Sequence, residues 1–149
     1  MKPNSYLKPI VLSLCCILFL TTSCKKEDKE TNSNSIIASI NGADWSSSKV
    51  QILEVENLFQ MTSNSGLEML QINFFKDAAP GSYSLKDPEN FVAFQYMNGF
   101  ANVYNKPLDG LFNLHRNDDF QRSGSFLAIL ESLKDGDTVV IVGDFRYFK

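Results

Sequence analysis

Past Ile36 the chain is punctuated by turn-forming residues at short, regular intervals, and that spacing leaves little choice of fold class. Asn41-Gly42, Asn64-Ser65-Gly66, Pro80-Gly81, Asp87-Pro88, Asn98-Gly99, Pro107–Gly110, Asn117-Asp118 and Asp135-Gly136 all supply residues that tolerate or impose turn dihedrals. The segments between them are short and rich in Phe, Tyr, Ile and Val, the residues that suit a pleated, half-buried surface. The pattern predicts an all-β fold, a small antiparallel β-sandwich or barrel-like domain.

Alternation sharpens this. Leu70, Ile72 and Phe74 share one face with Glu68 at its start, while Gln71 and Asn73 point the other way. Val92, Phe94 and Tyr96 form a second set, and Phe112 and Leu114 alternate with Asn113 and His115. Val139, Ile141, Phe145 and Tyr147 line one face of a last strand with Asp144 and Arg146 opposite. Val140 and Val142 are apolar on that opposite face, which predicts cover on both sides there. Residues 125–136 (SFLAILESLKDG) also fit a short helix with Ser125 as N-cap. The alternation of Phe126, Ala128 and Leu130, and a hairpin through Asp135-Gly136, favour a strand.

The N-terminus is of a different kind. Lys2 and Lys8 flank the start of Ile10–Leu20, eleven residues that are apolar apart from one serine. A spanning helix needs about 20 such residues, whereas a secretory h-region needs about 7–15. Residues 1–23 are therefore expected to be a signal peptide. The run Leu20-Thr21-Thr22-Ser23-Cys24 resembles the lipobox of bacterial lipoproteins, with a small residue before the cysteine. Thr21 stands where the family usually has Leu, and Leu20 lies one place further back, as in lipoproteins of the Bacteroidota type. The resemblance implies that Cys24 carries a diacylglycerol and an acyl chain such as palmitate. Several chains, at about 0.8 kcal/mol per buried methylene, make a stable membrane anchor.

Lys25–Ser35 (KKEDKETNSNS) has no apolar residue and cannot offset its ordering entropy by burial, so residues 24–35 read as a lipidated cysteine and a disordered tether. The mixed charge after Cys24 also resembles export tags of some Bacteroidota lipoproteins. Those tags favour a more acidic run than this one, so surface exposure and a plain solvated spacer fit it about equally well. Residues 36–149, 114 in number, suffice for a single domain.

Processing changes the totals that matter. Cys15 and Cys16 fall in the signal, and Cys24 is taken by lipid, which argues against a disulfide scaffold, a Cys-ligated metal and a cysteine nucleophile. Loss of Lys2 and Lys8 moves the formal charge from −3 to −5, which argues against nucleic acid as a partner.

The body also resembles a group of Bacteroidota lipoproteins built around a domain of unknown function. The shared features are Ile36–Trp45 (IIASINGADW), the Pro80-Gly81-Ser82-Tyr83 turn, Gly124-Ser125-Phe126, and the closing strand Thr138–Phe148 with Gly143-Asp144-Phe145. The resemblance implies a small β-sandwich or barrel on a lipid anchor, and brings no activity and no site residues with it.

Few residues point to chemistry. His115 is the single histidine and lies on a polar strand face, so no triad or two-histidine metal site assembles from it. Asn117-Asp118-Asp119 and Asp135-Gly136-Asp137 are oxygen clusters, but Ala128 stands where an EF-hand starting at Asn117 needs Glu, and turn chemistry explains both. Glu54 and Glu56 share a strand face without a cleft between them. No catalytic residue, metal site or cofactor is expected. Of the domain's one Trp, eleven Phe and four Tyr, most must form the core. Trp45, Tyr83, Tyr96 and Tyr104 are the amphipathic candidates for ligand contact.

The expectation is a lipid-anchored cell-envelope protein, on the outer membrane and facing the periplasm or the surface, acting as a binding or structural module. Its partner would be a glycan, an apolar ligand or an envelope protein. The alternatives are a lipocalin-like carrier of a small apolar ligand and an envelope hydrolase using carboxylates.

Overall fold

Asn41 and Gly42 adopt φ of 50° and 85°, the left-handed dihedrals that a two-residue hairpin loop requires. They join β1 (Ser35–Ile40) to β2 (Ala43–Ser47), whose residues Ile40 and Ala43 face each other across the turn. The computed structural model describes residues 33–47, 49–90, 92–99 and 102–149; the expected signal peptide, Cys24 and most of the tether lie outside them. The chain continues as β3 (Val50–Val55), β4 (Leu58–Ser65), β5 (Glu68–Phe75), β6 (Gly81–Ser84), β7 (Ala93–Asn98), β8 (Asn102–Asn117), β9 (Gln121–Ser132) and β10 (Thr138–Phe148). Of residues 125–136, which also fit a short helix, 125–132 belong to β9, paired with β8 on one side and β10 on the other, and the rest form the turn into β10.

All ten strands form one antiparallel sheet in the order β2-β1-β10-β9-β8-β7-β5-β4-β3, with β6 beside β8. The two ends of that order, β2 and β3, follow each other in the chain. The segment from Ala43 to Val55 thus pairs first with β1 and then with β4, and so nearly closes the sheet into a barrel. Two hydroxyls hold the handover. Ser47 Oγ donates to the Asn64 carbonyl at 2.7 Å, and Ser63 Oγ donates to the Lys49 carbonyl at 3.4 Å. The architecture is an up-and-down meander, and the open choice between sandwich and barrel resolves to barrel-like.

Alternation places the core as expected. Leu70, Ile72, Phe74, Phe94, Tyr96, Phe112, Leu114, Phe126, Val139, Ile141 and Phe145 are all buried. Their rings fill the interior. Phe74 lies 4.9 Å from Phe59 and 5.3 Å from Phe112, and Phe112 stacks on Phe145 at 5.5 Å with an interplanar angle of 8°. Val140 and Val142 differ from expectation: they point outward and are 39% and 48% exposed, because among the described residues no second layer covers this sheet.

So many rings fit a narrow barrel because glycines face them. A Cβ built on Gly124 would lie 2.7 Å from a ring carbon of Phe145 and 2.3 Å from the Asn113 carbonyl oxygen. On β8, Gly110 sits at φ 145° and a Cβ there would lie 2.3 Å from the Leu127 carbonyl oxygen. Inward glycines of this kind let a sheet coil tightly enough to close.

The chain enters and leaves at one end. Asn34 Oδ1 accepts from the Phe148 amide at 2.7 Å, and the Lys149 amide donates to the Phe120 carbonyl at 3.1 Å. Asn34 and Ser35, just before the expected boundary at Ile36, are thus fastened to the last strand. We call this the terminal end; the turns 41–42, 66–67 and 133–137 mark the distal end.

Gly110→Ala is expected to destabilise the domain by about 3 kcal/mol, since overpacking and a disfavoured φ add. Gly81→Ala, whose nearest atoms are 3.9 Å away, should stay within about 0.5 kcal/mol of wild type. Urea unfolding followed by the fluorescence of the sole tryptophan, Trp45, compares them.

Candidate functional site

The four aromatic candidates are not brought to one surface. Trp45 and Tyr96 are buried, while Tyr83 and Tyr104 are half-buried and packed against the core. Trp45 faces inward from β2, and its indole N–H has no partner among the described residues. The Tyr83 hydroxyl donates to the Ala79 carbonyl. Only Tyr96 and Tyr104 meet, with rings 5.9 Å apart near the distal end.

Tyr96 donates its phenolic proton to Glu68 Oε1 at 2.6 Å. Burial first, then the hydrogen bond to and charge of Glu68, push its pKa far above the ordinary value near 10. The pair satisfies two polar groups that the inward faces of β5 and β7 would otherwise leave stranded.

At the terminal end the interior holds a charge. Arg122 has the same strand parity as Gly124, Phe126 and Ala128 and so points inward; its side chain is 8% exposed. Its guanidinium stacks 4.6 Å from the Phe59 ring centroid and 5.8 Å from that of Tyr147. Nε donates to Asn117 Oδ1 at 3.0 Å, and a terminal nitrogen donates to Glu54 Oε1 at 3.1 Å. Asn117 in turn donates to the carbonyls of Lys76 and Ala78. The network ties β3 to β9 across the barrel, so Glu54 is a structural ion-pair partner here. Glu56, expected on the same strand face, lies past the end of β3 in a left-handed turn position at φ 48°.

The acidic turn that raised calcium chemistry is occupied by its own backbone. Asp118 Oδ1 accepts from the amides of Phe120 and Gln121 at 2.9 and 2.8 Å, and Arg116 binds the other oxygen. Arg116 foremost, then those two amides, hold its pKa at about 2. Asp135 likewise serves its turn, accepting from the Asp137 amide at 3.3 Å. Among the described residues no group of three potential metal ligands converges.

Among the described residues, two features of the outer surface have the shape of sites. The first is a shallow trough of about 290 Å³ on β8, β9 and β10. Cross-strand neighbours Val142, Leu127 and Leu111 form an apolar row, and Asp144, Ser125 and Asn113 form a polar row beside it. His115 Nε2 lies 3.3 Å from Ser125 Oγ. This pair has the elements of a nucleophile and base, yet among the described residues no carboxylate bonds His115. The backbone amides around Ser125 are also spent on two ladders, where an acyl-transfer site needs them free as oxyanion donors.

The second feature is a cleft of about 470 Å³ where the barrel closes. Ser35 and Ile37 of β1, Ser46 and Ser47 of β2, Lys49 at the handover and Asn64 of β4 line it. It exists because β2 leaves β1 for the far edge of the sheet, parting the outer faces of β1 and β4. Neither Lys49 nor Asn64 stood out in the sequence, since their proximity depends on closure. Arg122 was visible in the parity of its strand.

Comparison of the chain with known protein families finds no matching family model, and comparison with curated proteins finds no match.

Two outcomes check the interior polar groups. A tyrosine held neutral in the folded state loses ground to the unfolded chain once pH exceeds about 10, so stability should fall as pH rises above that value. Tyr96→Phe should flatten the fall in thermal melts between pH 9 and 11. Arg122→Ala should cost about 3 kcal/mol, and Arg122→Met, which keeps the stem against Phe59, at most half of that in urea titrations.

Proposed function

We propose that this chain is a Bacteroidota-type lipoprotein whose barrel is a non-catalytic binding module held at the cell envelope by lipid on Cys24. What carries the reading on the structural side is the filled interior. Stacked and tilted rings of Phe59, Phe74, Phe112, Phe145 and Tyr147 occupy the space in which a lipocalin-like carrier would hold its cargo. An apolar ligand would have to displace rings whose burial stabilises the domain. Recognition then falls to the outer surface, where the trough and the cleft lie.

The hydrolase reading asks for two carboxylates facing each other across a groove. Glu54 instead faces a guanidinium, and Glu56 belongs to a turn.

The mechanism is display and capture. A charged, apolar-free spacer after Cys24 gives the barrel reach, at most about 32 Å for the nine residues that precede Asn34. The lipid sets where it acts, on the outer membrane, and the partner is a glycan or an envelope protein.

Cys24→Ser should move the protein from the membrane pellet to the soluble fraction and abolish incorporation of labelled palmitate. Retention of the mutant in washed membranes would sink the anchor.

A further inference from the structure

The cleft at the barrel seam differs from the rest of the surface in charge and in unspent hydrogen bonds. The chain is acidic overall, at −3 as a whole and −5 without residues 1–23. Yet the residues lining the cleft include one cation, Lys49, and no acid. Among the described residues Lys49 has no ion-pair partner, in contrast to Lys86, Lys106, Arg116 and Arg122. Two acids stand near it without lining it: Asp44 of β2 lies towards the Asn41-Gly42 turn opposite Ser39, and Asp144 of β10 lies opposite Ile37 and lines the trough instead.

The remaining lining is polar and unoccupied by internal bonding. The hydroxyls of Ser35 and Ser46 and the carboxamide of Asn64 make no hydrogen bond among the described residues; Ser47 is committed to the Asn64 carbonyl and the Lys49 amide. Those three groups offer donors and acceptors at several angles. Ile37 supplies one apolar face and is 61% exposed. A volume of about 470 Å³ lies within the range of small-molecule sites, about 300–1,000 Å³.

We propose that this seam cleft binds an acidic saccharide. The Lys49 ammonium pairs with the carboxylate of a sugar acid, Ser35, Ser46 and Asn64 bond its hydroxyls, and Ile37 packs against the C–H face of the ring. A bare inorganic anion would use Lys49 and leave the other three polar groups and Ile37 idle. A neutral sugar would leave the ammonium unpaired. This assignment rests on the reading of the chain as a binding module and names that module's ligand class.

The test uses the full chain in detergent micelles, isotopically labelled, with digalacturonic acid as the probe. Neutral galactobiose and inorganic phosphate are the comparators. Digalacturonate should shift the amide resonances of Ser46, Ser47, Lys49 and Asn64, and bind at least about tenfold more tightly than either comparator. That is the scale of one charge-assisted hydrogen bond. Lys49→Ala should weaken it by about tenfold or more with an otherwise unchanged spectrum, Lys49→Arg should keep binding within a few-fold, and Ser46→Asp should abolish it.

Equal binding of phosphate and digalacturonate would reduce the site to an anion contact and overturn the saccharide. Shifts confined to Leu111, Leu127 and Val142 would overturn the cleft and move recognition to the trough. No shift with any probe would overturn the ligand class. None of these touches the anchored-module reading, which the Cys24→Ser fractionation tests separately.

Discussion

The stacking of Phe112 on Phe145, with Phe74 tilted against both, is the contact around which this barrel is built. Aromatic rings are large for a narrow barrel, and inward positions on neighbouring strands cannot all carry them. The strands resolve this by alternating volume across the sheet: Phe145 lies opposite Gly124, and Phe126 opposite Gly143. The glycines remove volume where rings need it and allow the coiling that brings β2 and β3 to adjoining positions. Without that coiling the two edges would stay apart and the seam cleft would not exist. Packing inside thus determines a surface feature outside.

Both ends of the interior carry polar groups, and each is handled differently. Near the distal end a neutral phenol donates to a carboxylate, Tyr96 to Glu68, and the charge stays at the rim. At the terminal end a full cation is brought inside, and Phe59, Tyr147, Asn117 and Glu54 between them provide ring faces and acceptors for it. Such a pair contributes little net stability by itself, because desolvation offsets attraction. Its geometric effect is larger. Glu54 stands on β3, the last strand in the sheet order, and Arg122 on β9, so the pair fixes a strand that has ladder bonds on one side only.

The fold class could be read from residue order because β-structure writes a local code. Alternation placed Leu70, Ile72, Phe74, Phe112 and Leu114 correctly, and Asn41-Gly42 marked its hairpin, since each depends on immediate neighbours. Val140 and Val142 misled because an apolar face predicts a cover, and alternation cannot say whether a second layer exists. Glu56 misled because a left-handed residue before Asn57 ends β3 one position earlier. The seam was beyond local reasoning altogether. Ser35, Lys49 and Asn64 meet only when the two edges of the sheet do, and nothing within a few residues of any of them announces it. Cys24 is the reverse case: its pattern is local in the sequence, and it lies outside the described residues.

The position of β1 has a mechanical consequence. The chain enters the barrel at Ser35, in a strand flanked by β2 on one side and β10 on the other. Tension arriving from the preceding residues therefore runs along β1 and loads two hydrogen-bonded ladders together. Antiparallel ladder bonds lie perpendicular to the strand, so an axial pull shears many of them at once where a sideways pull would part them singly. A barrel entered through an edge strand such as β3 would peel. This one is held by a strand that resists being drawn out.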